Sequence, residues 1–141
     1  MNTTNQTPEN IRANLSVEED LSGRTFLVVD DIKVNYLLIK AMLMKARAET
    51  LWAESGFQAI EMINSGKHFD AILMDYNMPG MDGFETTIQL KRLKPELPVI
   101  SQSTYTDSKD FDRAVAPFDE YISKPIVYKE LIVKLKQVLK T

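Results

Sequence analysis

Two short runs, residues 26–29 (FLVV) and 71–74 (AILM), are apolar at every position, and each passes directly into acid: Asp30 and Asp31 after the first, Asp75 after the second. A strand with one wet face alternates apolar and polar residues, whereas a strand apolar throughout has to be covered on both faces, as inside a parallel sheet flanked by helices. The stretches between these runs read as the covering helices. Over residues 34–47, Leu37, Leu38, Ala41 and Met44, with Ala48 beyond, recur near helical spacing and read as an inward face.

The same alternation continues along the chain. Residues 50–53 read as a second strand; Gly56 opens a helix with Ala59, Ile60 and Ile63 inward, and Gly66 stops it. Pro79, Gly80 and Gly83 mark a loop before a third helix that packs Phe84, Ile88 and either Leu90 or the stem of Lys91. Residues 99–101 follow Pro98 as a fourth strand; Asp107 or Ser108 caps a fourth helix carrying Phe111, Ala114 and Val115, which Pro117 ends. Residues 121–123 make the fifth strand. On the last helix Leu131, Ile132, Leu135, Val138 and Leu139 form one stripe opposite Lys129, Lys134, Lys136 and Lys140, a face read as solvated. Strands alternating with helices in this way imply a doubly wound α/β fold with a five-stranded parallel sheet and right-handed crossovers.

Composition limits what such a fold can serve. A chain of 141 residues with 44% hydrophobic content supports one domain with an ordinary core. Residues 1–23 hold Glu9, Glu18, Glu19 and Asp20 against Arg12, so of 17 bases and 20 acids the remainder keeps sixteen of each. The net charge of −3 therefore belongs to a polar leader, residues 1–23, and residues 24–141 form the domain. No basic excess attracts nucleic acid. With no cysteine, disulfide frameworks and thiolate chemistry are excluded; with no signal or apolar span in the sequence, a cytoplasmic setting without membrane contact is expected.

Ligands of doubly wound sheets bind beyond the carboxyl ends of the strands, and there the sequence puts its distinctive polar residues: Asp30, Asp31, Asp75, Ser103 and Lys124. Three carboxylates in one crevice repel one another unless a divalent cation joins them, and a hard ion with oxygen ligation, Mg²⁺, suits them. We expect Asp31 and Asp75 as direct ligands, the backbone carbonyl of Asn77 as a third, Asp30 acting through water, and Lys124 on the opposite flank. Asp75 can then attack phosphorus to form an aspartyl phosphate, with Ser103 or Thr104 reaching the new oxygens and Tyr121 filling the space that a displaced hydroxyl leaves.

This set of motifs, VVDD (residues 28–31), LMDYNMPGMDG (73–83), VISQST (99–104) and YISKPI (121–126), resembles the receiver domain of two-component response regulators over residues 24–141. The resemblance implies a flavodoxin-like (βα)5 fold with strand order 2-1-3-4-5. It implies Asp75 as phosphoacceptor, Asp30 and Asp31 as metal acids, Ser103 as switch hydroxyl, Tyr121 as switch aromatic, Lys124 as phosphate-contacting lysine and a cis peptide between Lys124 and Pro125. Such a domain turns over no separate substrate. Two acids followed by Asn35, the MDYNMPGMDG loop (residues 74–83) and residues 21–23 (LSG) are most similar to receivers fused behind histidine kinases, which pass the phosphoryl group to a histidine phosphotransfer partner; the alternative is a stand-alone response regulator acting by phosphorylation-dependent contacts, with room for a dimer. Ala116, Pro117 and Phe118 depart from the family's small residue and glycine before the fifth strand, and Thr104 replaces the usual Ala or Gly, narrowing access to Asp75.

Competing classes lack their required parts. A phosphatase using an aspartyl phosphate needs a second acid at the position of Asn77, and a flavodoxin-like or nucleotide-binding module needs a Gly-rich or hydroxyl-rich loop where Asp30 and Asp31 stand. His68, in a short polar loop, is assigned no role; Trp52 reads as packing.

Overall fold

Both all-apolar runs lie at the centre of one parallel sheet. The computed structural model describes residues 19–104 and 117–139. In chain order the described elements are β1 (Thr25–Val29), α1 (Lys33–Lys45), β2 (Glu49–Ala53), α2 (Gly56–Asn64), β3 (Ala71–Asp75), α3 (Gly83–Leu93), β4 (Val99–Ser103), β5 (Glu120–Ser123) and α4 (Tyr128–Leu139). The sheet runs β2-β1-β3-β4-β5, the order that the resemblance implies, and every adjacent pair is parallel. The fourth helix expected between β4 and β5, with Asp107, Ser108, Phe111, Ala114 and Val115, falls outside the described residues.

The two faces of the sheet carry separate cores, as a doubly covered sheet requires. Phe26, Val28, Leu73, Ile100 and Ile122 meet Tyr36, Ile39 and Leu43 of α1 and Leu131, Ile132 and Leu135 of α4. On the other side Leu27, Val29, Ile72 and Met74 meet Ala59, Ile63 and Leu90. Each such fully buried aliphatic side chain contributes roughly 1.5–3 kcal/mol, so the central strands are the best anchored part of the molecule.

The inward face of α1 differs from the one expected. Tyr36, Ile39 and Leu43 are buried, while Leu37, Leu38 and Met44 are solvent-facing at 45%, 58% and 63% exposure. Both sets have helical spacing, and the structure favours the one whose aromatic ring stacks on the neighbouring strand: Tyr36 lies on Trp52 with centroids 5.5 Å apart. On α3, Thr86, Thr87 and Leu90 are buried and Phe84 packs only partly; Thr86 lies against Gly56 of α2, where a Cβ would strike its hydroxyl. Lys134 is not a freely solvated lysine either; its ammonium donates to the Tyr121 carbonyl at 2.6 Å and pairs with Glu120 at 3.5 Å, fastening α4 to β5.

The packed body takes in Leu21, which the sequence reading gave to the leader. Leu21 is buried in the α1 side of the core, and its N–H donates to the Ala46 carbonyl at 2.8 Å. This contact lies at the amino ends of the strands. Val138 and Leu139, which close α4, line a cavity at that same pole with Arg24 and Asp70.

Candidate functional site

At the opposite, carboxyl edge, β1 and β3 are direct neighbours, so the residues that end them meet. One carboxylate oxygen from each of Asp30, Asp31 and Asp75 lies within 4.8 Å of the other two. Asp30 and Asp75 are buried, and Asp31 is exposed. Among the described residues this is where three acids converge closely enough to share an ion.

Asp30 is fixed from several directions. Its Oδ1 accepts from the Ile32 N–H at 2.9 Å and from Asn35 Nδ2 at 3.3 Å, which ties the carboxylate to the first turn of α1. Its carbonyl accepts from the Trp52 indole N–H at 2.8 Å. Trp52 thus does more than pack: it links the edge strand β2 to the acid at the end of β1. That role follows from the register pairing Val28 with Trp52, which no local sequence signal reveals.

Asp75 closes β3, and the chain then turns through an exposed Asn77 to reach α3, where Asp82 caps the helix by accepting from the Glu85 N–H at 2.9 Å. Gly83 comes back against this strand end: its N–H donates to the Tyr76 carbonyl at 2.9 Å, and a Cβ there would strike the Asp75 carbonyl oxygen. Glycine holds the loop close because it has no side chain.

Lys124 arrives from β5. Its backbone N–H donates to the Ser103 carbonyl at 2.7 Å, and the Lys124–Pro125 peptide is cis. Its ammonium donates to Asp75 Oδ1 at 3.0 Å and stands 3.7 Å from Asp30 Oδ2. Among the described residues, that buried second oxygen of Asp30 has no hydrogen-bond partner. Burial pushes the Asp75 carboxyl up to about 6, and the charges of Asp30 and Asp31 push the same way, against the pull of Lys124. The cluster is therefore short of positive charge, and its hard oxygen donors with one unsatisfied lone-pair site fit a small divalent cation.

The other singled-out residues take stations around this cluster. Ser103 ends β4, one strand from Asp75, and Thr104 follows it, exposed. Tyr121 pairs in register with Ser101, set back from the edge, with the Lys134 ammonium 5.8 Å from its ring centroid. His68 is largely exposed at the opposite pole, 3.2 Å from Asp70.

Comparison with known proteins agrees with this geometry. Residues 26–136 match the response regulator receiver domain family. The chain belongs to that family. This receiver is 33% identical over 129 residues to the sensor histidine kinase GacS of Pseudomonas protegens and 30% identical over 116 residues to the autoinducer 1 sensor kinase/phosphatase LuxN of Vibrio campbellii. These matches take in 85% and 82% of the chain, which spans 14% of the length of either relative. Among solved structures it is similar to the receiver domain of a sensor histidine kinase from Pseudomonas aeruginosa (TM-score 0.78, 27% identity, 85% of this chain and 100% of that one), which carries a magnesium ion coordinated in its active-site cleft. It is also similar to the Vibrio cholerae chemotaxis protein CheY4 (TM-score 0.75, 25% identity, 82% of this chain and 98% of that one). The receiver is a phosphoacceptor signalling domain homologous to those of hybrid histidine kinases. No helix among the described residues is long and apolar enough to cross a membrane.

Proposed function

We propose that Asp75 accepts a phosphoryl group from a phosphohistidine, with Mg²⁺ held by Asp30, Asp31, Asp75 and the backbone carbonyl of Asn77. The observation that carries this reading is the meeting of three carboxylates within 4.8 Å with a lysine ammonium 3.0 Å from Asp75. Mg²⁺, when bound, supplies the positive charge that offsets the carboxylates and the phosphoryl oxygens. The protein's part is positional. Asp75 presents an oxygen to phosphorus; the O–P bond forms as the P–N bond to the donor imidazole breaks, and the imidazole nitrogen keeps the electron pair. Lys124 turns its ammonium from Asp75 to a phosphoryl oxygen, and the hydroxyls of Ser103 and Thr104 donate to the others.

Inward movement of Ser103 vacates space beside β5, and Tyr121 fills it, which converts a local charge event into an altered surface. Residues 24–141 serve as the receiver unit, with residues 1–23 as its leader, of which Leu21 is folded into the receiver's core, in a cytoplasmic part of a hybrid kinase. The phosphoryl group then passes to a histidine phosphotransfer partner. Ile32, Val34, Leu37 and Leu38, all exposed beside the acidic edge, support this relay reading, because an apolar row flanking a charged cleft suits docking of a helix that carries the reactive histidine. The receiver turns over no substrate of its own.

Incubation with phosphoramidate, followed by intact mass measurement, tests the assignment. One phosphoryl adduct is expected with Mg²⁺ and none with a chelator or in Asp75→Asn. An adduct of equal yield in Asp75→Asn would overturn it.

A further inference from the structure

Gln102 stands beside Asp75 in the sheet, at a place where the core would take an aliphatic residue. Leu73 of β3 and Ile100 of β4 pair in register, and both enter the core under α1 and α4. Side chains alternate along a strand, so Asp75 and Gln102, two residues further on and also paired, belong to that same face. Ile122 pairs with Gln102 on its other side. Asp30 extends the row, because Val29 pairs with Met74 one position earlier. At this level the sheet therefore carries Asp30, Asp75, Gln102 and Ile122 in that order. Gln102 has no exposed surface, and among the described residues neither its Oε1 nor its Nε2 has a hydrogen-bond partner. A buried carboxamide unpaired on both atoms is costly, and native structures seldom keep one without a use. An aliphatic side chain such as those of Ile100 and Ile122 would fill the place without that cost.

We propose that Gln102 donates an amide N–H to the Asp75 carboxyl group while the phosphoryl group enters and leaves, an inference that rests on Asp75 as phosphoacceptor. In the resting arrangement the Lys124 ammonium donates to Asp75 Oδ1 at 3.0 Å. Once Lys124 turns to a phosphoryl oxygen, that carboxyl oxygen has lost its donor. As the O–P bond breaks, its electron pair returns to the Asp75 oxygen; phosphorus bonds instead to an imidazole nitrogen, or to a water that releases its proton to solvent. The carboxylate charge thus reappears before Lys124 has returned. A glutamine side chain spans the roughly 4.8 Å between neighbouring strands, so rotation about its own bonds brings Nε2 to that oxygen. In a buried place a single donor aimed at developing charge is worth far more than in water. A neutral amide suits the task, because a second ammonium there would hold the resting carboxylate and oppose a divalent cation beside it. Formation and loss of the adduct pass through the same partly broken O–P bond, so the donor speeds both alike.

The test uses the full chain with Mg²⁺ and phosphoramidate, followed by intact mass measurement over time. Gln102→Met, close in shape and lacking the amide, is expected to slow adduct formation by about tenfold and, after the phosphodonor is removed, to slow adduct loss by the same factor. The fraction phosphorylated at steady state then stays that of the parent chain. The variant is expected to melt no lower than the parent and to keep its Mg²⁺ affinity, which separates the rate effect from a damaged fold. In the isotope-labelled parent, beryllofluoride with Mg²⁺, a stand-in for the phosphoryl group, is expected to shift the Gln102 side-chain amide signals in nuclear magnetic resonance. An absent adduct in the parent chain overturns the phosphoacceptor reading and this inference with it. With the adduct present, this inference alone is overturned if parent and Gln102→Met gain and lose it at equal rates, if only one of the two rates changes, or if beryllofluoride leaves the Gln102 amide signals in place.

Discussion

Replacing Asp75 with Asn in metal-free buffer isolates the electrostatic cost of the acidic cluster. The Asp75 carboxyl rises from 3.8 to about 6 in the folded protein, chiefly through burial. An acid whose folded value is raised binds its proton more tightly when folded, so the stability it contributes is fully present below pH 3.8, declines as pH rises toward 6 and stays lost above that. Asparagine has the shape of the neutral acid and never ionises. With about 1.4 kcal/mol for each pH unit, the variant should exceed the wild type in stability by about 1 kcal/mol at pH 4.5, about 2 at pH 5.5 and about 3 at pH 7. For a domain of this size, 3 kcal/mol corresponds to a melting temperature higher by on the order of 10 °C. Urea unfolding of both proteins in a chelator, repeated across this pH range, measures the difference curve directly. Mg²⁺ at about 100 times its Kd should then restore about 2.7 kcal/mol to the wild type, and less to the variant, and its affinity for the wild type should weaken below pH 6. A difference curve that is flat with pH, or a variant no more stable than the parent at pH 7, would refute the reasoning.

Lys124→Met removes the ammonium that competes for the carboxylates, so calorimetry should show Mg²⁺ binding several-fold tighter while phosphorylation from phosphoramidate slows by roughly 10²-fold or more. Gly83→Ala drives a carbon into the Asp75 carbonyl oxygen, and denaturant unfolding should show a loss of about 1–3 kcal/mol together with a slower phosphorylation rate. Asp70 is pushed up by burial, yet the Thr25 N–H, His68 and Arg24 together hold it below 3.8. Its contribution is therefore present above that value and disappears as pH falls through the folded one, so Asp70→Asn should cost about 1–3 kcal/mol at neutral pH and flatten the acid limb of the stability curve. Leu38→Glu, on the exposed row of α1, should leave phosphorylation by phosphoramidate intact and slow phosphoryl exchange with a histidine phosphotransfer partner by about tenfold.

The strands and the acidic edge were readable because their signals are local. A four-residue run without a polar position has one sensible environment; Asp30, Asp31 and Asp75 follow such runs directly, and Lys124 follows the short mixed strand β5. The orientation of α1 was not readable because the helix carries two aliphatic sets at the same spacing, and the stack of Tyr36 on Trp52, a contact between distant residues, decides between them. The hydrogen bond of Trp52 and the burial of Gln102 were not readable for a related reason. The hydrogen bond from Trp52 to Asp30 depends on strand register, and a single glutamine in a strand gives no sign that both its amide atoms are buried without a partner among the described residues.

Leu21 and the final turn of α4 bring both limits of the described chain to the pole farthest from Asp75. A module joined directly at Leu21 or Leu139 would therefore begin on the side away from the reactive rim.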